Sequence, residues 1–213
     1  CRIFTRFVVK RLVIAIDCDD VLVDTAQDLL QFYNQKYGTS LDETNFYATD
    51  VDPVRFGVAT FHEVIERFSE RFLMLEHLEI ASSQNTIEAI QRLAGAHELH
   101  LITGRSSTME QATRTMIDRY FKGCFMTVEH TNYITADKQA VKRTKGEVCR
   151  QIGADVLIDD YIEHVRNVIA AGVPHAIIFG DFDWGKRGSV PDNTKRCVSW
   201  REVEAEIERI AHS

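Results

Sequence analysis

The chain has little of what would divide, anchor or staple it. Only three prolines occur in 213 residues. No Pro/Gly-rich linker, low-complexity stretch or internal repeat breaks it up, which excludes a string of modules or a solenoid. No apolar stretch approaches the ~20 residues that span a bilayer, so no membrane segment is expected. Basic charge is in deficit: 25 Lys and Arg stand against 32 Asp and Glu, a net charge of −7. That argues against a nucleic-acid polymer as partner, and the basic residues are scattered apart from the short run 138–145. Five cysteines, an odd number with no CxxC pair, are expected to be buried free thiols in a reducing compartment, hence in a cytoplasmic protein. The eight histidines show no HExxH spacing and are expected at surface or packing positions. Residues 1–11 place Arg2, Arg6, Lys10 and Arg11 among apolar residues, but the apolar run that follows ends in acids too soon for a signal peptide. A chain that begins with Cys1 is expected to be a fragment or a processed product. What is present is ordinary in amount. Hydrophobic content of 45% and charged content of 27% suit one globular domain with a full core and room for a small second unit.

The most informative stretch is Leu12-Val13-Ile14-Ala15-Ile16-Asp17-Cys18-Asp19-Asp20-Val21-Leu22, where an apolar run stops at three carboxylates in four residues. Such a run reads as a strand buried on both faces of a parallel sheet. In open parallel sheets, ligands bind outside the carboxyl ends of the strands. Alternation in extended backbone starts Asp17 and Asp19 in the same direction. Two carboxylates aimed at one spot repel unless a cation or a shared proton relieves them.

Downstream, Thr25 is expected to cap a helix running to Tyr37, with Gly38 as its stop. Thr60 and Glu63 form a capping-box pattern, followed by Phe61, Val64, Ile65, Phe68 and Phe72 at helical spacing. Residues 39–52 read as loop. A second rhythm begins near Ser83. A helix ends at Gly95, strand 97–103 follows, and Ser107 with Glu110 opens a helix closed by Gly123. Cys124–Val128 is a short strand, and Thr144-Lys145-Gly146-Glu147 is a further capping box. Strand Ala154–Ile158 ends at Asp159-Asp160. A helix with Ile162, Val165 and Ile169 leads to strand Ala176–Phe179, a short strand is expected over Arg196–Trp200, and a charged helix closes the chain. Alternating strands and helices imply an α/β fold with a doubly wound, mainly parallel sheet. We expect residues 12–24 and 82–213 to form this core, with a helical cap, 25–81, inserted after the first strand.

Three strands thus end in reactive polar residues on one sheet edge: Asp17 and Asp19, Thr103, and Asp159 with Asp160. Carboxylates from separate strands suit a hard, oxygen-seeking cation such as Mg²⁺. Lys145 stands in the first turn of a capped helix, where backbone N–H groups already favour anions. Thr103 adds a hydroxyl donor, and Gly104 permits close backbone approach. A carboxylate can attack a phosphoryl group, and a second carboxyl two residues on can handle the protons.

These residues resemble the haloacid dehalogenase (HAD) superfamily of phosphohydrolases. Asp17-Cys18-Asp19-Asp20-Val21 is similar to its first motif, Leu101-Ile102-Thr103-Gly104-Arg105 to its second, Lys145 to its third, and Val156-Leu157-Ile158-Asp159-Asp160 to its fourth, all in order. The resemblance implies a Rossmann-like core with a small helical cap and a phosphatase that uses Mg²⁺ and an aspartyl-phosphate. It makes Asp17 nucleophile and metal ligand, and Asp19 general acid/base with its carbonyl on the metal. Thr103, Gly104 and Lys145 would bind phosphate, and Asp160 would be the further ligand with Asp159 beside it. Lys138 and Lys142 are rivals to Lys145. The short Lys-to-Asp-Asp spacing and compact cap look most like the branch containing the 5'(3')-deoxyribonucleotidases. Members commonly have Gly after the second Asp, where this chain has Asp20, read as structural support.

The expected substrate is a small soluble phosphate ester, a nucleotide among the options, and oligomeric state stays open. Phe46, Tyr47 and Phe56 either stack on a base or belong to a core, and Arg105 is a candidate substrate contact. Gly180–Lys186 either lines the site or is a loop pinned by its aromatics. Competing readings are a haloacid dehalogenase, which needs neither metal nor second acid, a phosphoacceptor signalling module, and an inactive relative that binds a phosphorylated ligand.

Overall fold

The computed structural model describes residues 10–42, 52–73, 82–135, 137–186 and 188–213. Its centre is a six-stranded sheet in the order β3-β2-β1-β4-β5-β6, with every pair parallel. The strands are β1 (Val13–Ile16), β2 (Glu98–Thr103), β3 (Thr127–His130), β4 (Val156–Asp159), β5 (His175–Phe179) and β6 (Thr194–Cys197). β1 lies in the middle, with Ile16 opposite Leu101 of β2 and Ile158 of β4. The chain builds outward from β1 to β3, then returns to lay β4 on the other side of β1. That reversal is where an open α/β sheet leaves a crevice at its carboxyl edge.

The apolar run is buried on both faces because helices cover both. Ile14 and Ile16 join one cluster with Ile90, Leu93, Val203 and Ile207, under α3 (Gln84–Ala96) and α7 (Trp200–Ala211). Ala15, between them, joins Val148, Cys149 and Val168 on the other face, under α5 (Lys145–Ile152) and α6 (Ile162–Ala170). Fully burying side chains of this size is worth about 1.5–3 kcal/mol each. α4 (Glu110–Tyr120) links β2 to β3. No helix among the described residues is long and apolar enough to cross a membrane. The described cysteines, Cys18, Cys124, Cys149 and Cys197, are free.

A separate apolar cluster lies mainly in the segment between β1 and α3 and also takes in Met109 from the turn before α4. α1 (Thr25–Tyr37), a 3₁₀ turn (Pro53–Phe56) and α2 (Phe61–Leu73) gather Leu29, Leu30, Tyr33, Leu41, Phe56, Val64 and Phe68. Arg71 of α2 clamps Asp28 of α1 through two hydrogen bonds of 2.8 and 2.7 Å. The Tyr33 hydroxyl donates to the Phe56 carbonyl at 2.7 Å. Phe56 is therefore core, not a base-stacking platform. Phe46 and Tyr47 lie outside the described residues, as does most of the expected loop 39–52.

Several local expectations shift. Thr25 does not cap α1, since Asp24 holds the cap position without a side-chain bond. The Asp20 carboxylate instead accepts from Ala26 N–H at 2.9 Å. Gly38 does end α1 in the left-handed region at φ 66°. The Thr60–Glu63 box forms, but Phe61 is exposed. Ser106, not Ser107, caps the turn that precedes α4. β3 begins at Thr127 rather than Cys124, and β6 ends at Cys197, so that Ser199 caps α7 and Trp200 enters it.

Candidate active site

Asp17 follows β1 directly and stays buried, its backbone N–H bound to the Ile158 carbonyl at 2.9 Å. Lys145 opens α5. Its position is set by a complete capping box in which Thr144 Oγ1 accepts from Glu147 N–H and the Glu147 carboxylate accepts from Thr144 N–H. Gly146 lets α5 sit tightly on α6: a Cβ there would stand 2.7 Å from Asn167 Oδ1 and 2.8 Å from Ala171 Cβ. Lys145 Nζ reaches 2.7 Å from Asp17 Oδ1 and 2.6 Å from Asp159 Oδ2. Lys138 and Lys142 are exposed.

The two acids after β4 have different partners. Asp159 is met on one oxygen by Lys145 and on the other by Tyr161 N–H at 2.9 Å and His164 Nδ1 at 3.2 Å. Burial alone would raise its pKa, but Lys145, then His164, hold it well below the ordinary carboxylate range. Asp160 instead accepts from the neutral indole N–H of Trp184. Burial, then the charges of Asp159, Asp20 and Asp17, push it well above that range. Asp17 is likewise pushed up, to about 8, by burial and by Asp159 and Asp19 against the pull of Lys145. Its Oδ1 has the ion pair with Lys145 but no aligned hydrogen-bond donor. One buried ammonium thus serves a group of buried acids that outnumbers it, and two of them, Asp17 and Asp160, hold their protons more tightly than a free carboxyl does.

Asp19 is only partly buried and points to a different set of groups. Arg105 Nε and Nη2 hold its carboxylate as a fork at 2.9 and 2.6 Å, and Thr25 Oγ1 donates to it at 2.6 Å. Arg105 is itself buried. Burial would lower its pKa, but Asp19 keeps it firmly charged. Arg105, a candidate substrate contact in the sequence, is therefore turned onto the second acid. Thr103 is fully buried at the end of β2, its hydroxyl accepting from Arg105 N–H at 3.2 Å and lying 3.5 Å from Asp19 Oδ2. At Gly104 a Cβ would meet only Tyr133 Cβ at 3.7 Å, so packing does not demand glycine there. Asp20 adopts φ 58°, the left-handed region that Asp tolerates better than most residues.

All the expected site residues, Asp17, Asp19, Thr103, Gly104, Lys145, Asp159 and Asp160, come together at the carboxyl edge of β1, β2 and β4. Sequence reasoning missed His164, grouped with surface and packing histidines. Burial, then Lys145, lowers its pKa, and its Nδ1 lies 3.2 Å from Asp159 Oδ1. Its place in the first turn of α6, four residues after Asp160, was the available signal. Trp184 lies in the loop Gly180–Lys186, for which the sequence leaves open both lining the site and pinning by its aromatics, and its indole reaches Asp160. Asp17, Asp159 and His164 each place one ligand atom within 4.8 Å of the others, but Lys145 already occupies the space between the two acids. A cavity of about 450 Å³ adjoins the site, lined in part by Tyr133, Arg143, Lys145, His164 and Arg166.

The fold defines a class. A haloacid dehalogenase-like family hydrolase of Streptococcus pneumoniae, SP0104, superposes with a TM-score of 0.65 at 13% identity, covering 92% of this chain and 98% of that one. A HAD family hydrolase of Deinococcus radiodurans gives 0.61 at 13%, covering 96% and 98%, in a structure with bound phosphate and sodium. YfnB of Bacillus subtilis, bound to magnesium, gives 0.60 at 12%, covering 93% and 99%. No curated protein matches the sequence. Within that class, the family model for 5' nucleotidase, deoxy (pyrimidine), cytosolic type C protein matches residues 11–212. The chain belongs to this family and is a phosphohydrolase of the HAD type.

Proposed function

We propose that the chain hydrolyses a small phosphate monoester of the nucleotide class, with Mg²⁺ bound and through an aspartyl-phosphate on Asp17. The observation that carries this reading is Lys145, fully buried and shared between Asp17 and Asp159. It is a fixed cation beside a carboxylate that has an oxygen without an aligned donor. Thr103 Oγ1, the backbone at Gly104 and Lys145 Nζ bind the phosphoryl oxygens. Asp17 attacks phosphorus as the ester oxygen leaves. Asp19 protonates that oxygen, then takes the proton of the attacking water. The Arg105 fork orients Asp19, and Asp19 acts by giving up part of that fork when substrate enters.

The donors fit a hard divalent cation: all are oxygens, and the acids outnumber the one ammonium among them. Asp17, Asp160 and the Asp19 carbonyl would hold Mg²⁺, which supplies charge neutralisation for the phosphate dianion. We assign Asp159 to Lys145 rather than to the metal, because both its oxygens have partners. The magnesium in YfnB and the phosphate in the Deinococcus radiodurans hydrolase support the reading. The segment 25–81, with its own apolar cluster, would be the cap that closes over the leaving group. The family's name supports a nucleotide.

Phosphate release from p-nitrophenyl phosphate and a nucleotide panel, with Mg²⁺ and with EDTA, tests the proposal. Repeated turnover should require Mg²⁺ and vanish in Asp17→Asn, and Asp19→Asn should fall by about 10²-fold or more. Turnover that persists in EDTA, or full activity of Asp17→Asn, contradicts it.

A further inference from the structure

We propose that Trp184 is a positioning residue for Asp160: its indole N–H, delivered by a braced turn after β5, holds the carboxylate in the orientation that serves the divalent cation. This rests on the metal reading given above. Trp184 lies in the 3₁₀ turn Asp183–Lys186 and is 2% exposed. Its Nε1–H donates to Asp160 Oδ2 in a buried hydrogen bond.

The turn is shaped to make that contact. Phe182 stacks flat on the indole, with ring centres 4.5 Å apart and planes 8° from parallel. Phe182 reaches this place by folding over Gly180, at φ +80°, where a Cβ would stand 2.4 Å from its ring. On the far side, Gly185 presses on the Asp160 backbone: a Cβ there would lie 2.9 Å from the Asp160 carbonyl oxygen. The Gly185 carbonyl is in turn held by Arg196 Nη2 of β6 at 2.8 Å. Two glycines, a stacked ring and an arginine thus fix one N–H against one carboxylate oxygen.

The chemistry of the donor explains the arrangement. Asp159 and Asp160 are adjacent, yet Asp159 is given a cation and Asp160 a neutral N–H. A cation partner would cancel the charge that a metal needs. A neutral donor fixes the otherwise broad terminal torsion of an aspartate without pairing the carboxylate to a competing cation. Such outer partners are typically worth 10–100-fold in metal affinity.

The test is Mn²⁺ binding to the full chain, read as free Mn²⁺ by electron paramagnetic resonance, with Mg²⁺ as competitor. Trp184→Phe keeps the ring and its stacking but loses the N–H. It should weaken Mn²⁺ binding by about tenfold or more, and its turnover of p-nitrophenyl phosphate should recover as Mg²⁺ is raised. Phe182→Leu keeps the N–H and removes the stacked support, and should weaken binding severalfold. Wild-type affinity in both variants, or a loss of turnover that no Mg²⁺ concentration restores, overturns the proposal while leaving the metal reading intact. Failure of the wild-type chain to bind Mn²⁺ overturns both.

Discussion

At the residue scale, neighbouring acids of one chemical type are given separate tasks by their partners. Asp17 shares Lys145, Asp159 receives Lys145 and His164, Asp160 receives an indole, and Asp19 receives a guanidinium. Asp20, at φ 58°, turns the chain where members of the superfamily commonly have Gly, and its carboxylate serves the first turn of α1. The Arg105–Asp19 fork is the pair with the sharpest consequence. Removing one partner of a buried ion pair leaves the other charge uncompensated, at about 3–5 kcal/mol. Asp19 keeps some solvent contact, so Arg105→Met should destabilise the chain by about 3 kcal/mol in urea unfolding. Catalysis should also suffer, because Asp19 loses its orientation. A variant of unchanged stability would show that the fork is incidental.

At the element scale, the site depends on how α5 meets α6. The Thr144–Glu147 box fixes the turn from which Lys145 departs, and Gly146 sets the distance between the helices. Gly146→Ala adds a methyl group where Asn167 and Ala171 already stand. Overpacking of this kind costs about 1–3 kcal/mol. The variant should lower Tm and also raise KM, since Lys145 moves with its helix. A lowered Tm with unchanged KM would separate the packing from the site.

These elements also show what was legible in advance. Apolar runs ending in Asp17, Thr103 and Asp159, and the box before Lys145, are local patterns, and each formed at its place. Strand ends and caps slipped by one to three residues where two signals competed. Ser106 and Ser107 are both sound caps, and Trp200 suits a strand as well as a helix. The partners of the acids were not legible. Arg105 and Trp184 acquire their partners from contacts between segments distant in sequence, Asp19 and Asp160, whereas His164, five residues from Asp159, carried a positional signal at the start of α6. The Asp159–Asp160 pair looks symmetrical until tertiary contacts distinguish its members.

At the scale of the whole molecule, the sheet reversal at β1 and β4 gathers buried acids that outnumber the one ammonium set among them, Lys145. Asp17 is raised from the ordinary carboxylate range to about 8. Between those pH values the folded chain keeps a proton that the unfolded chain has released, so this group's contribution to stability falls as pH rises through that window. Mg²⁺ bound at Asp17, as proposed, would displace the same proton. Added Mg²⁺ should therefore raise Tm little near about pH 5 and increasingly toward about pH 8, relative to EDTA. A shift that is independent of pH would mean that the cation does not bind at Asp17.

The proposed covalent role of Asp17 has the most direct test. With p-nitrophenyl phosphate the leaving group departs without help from an acid, so in Asp19→Asn the first step stays fast while breakdown slows. Acid-quenched Asp19→Asn chain should then carry a hydroxylamine-labile phosphoryl group on the peptide that holds Asp17, and none when Asp17 is also replaced by Asn. Release of p-nitrophenol with no phosphoryl group on that peptide at any quench time would contradict the mechanism.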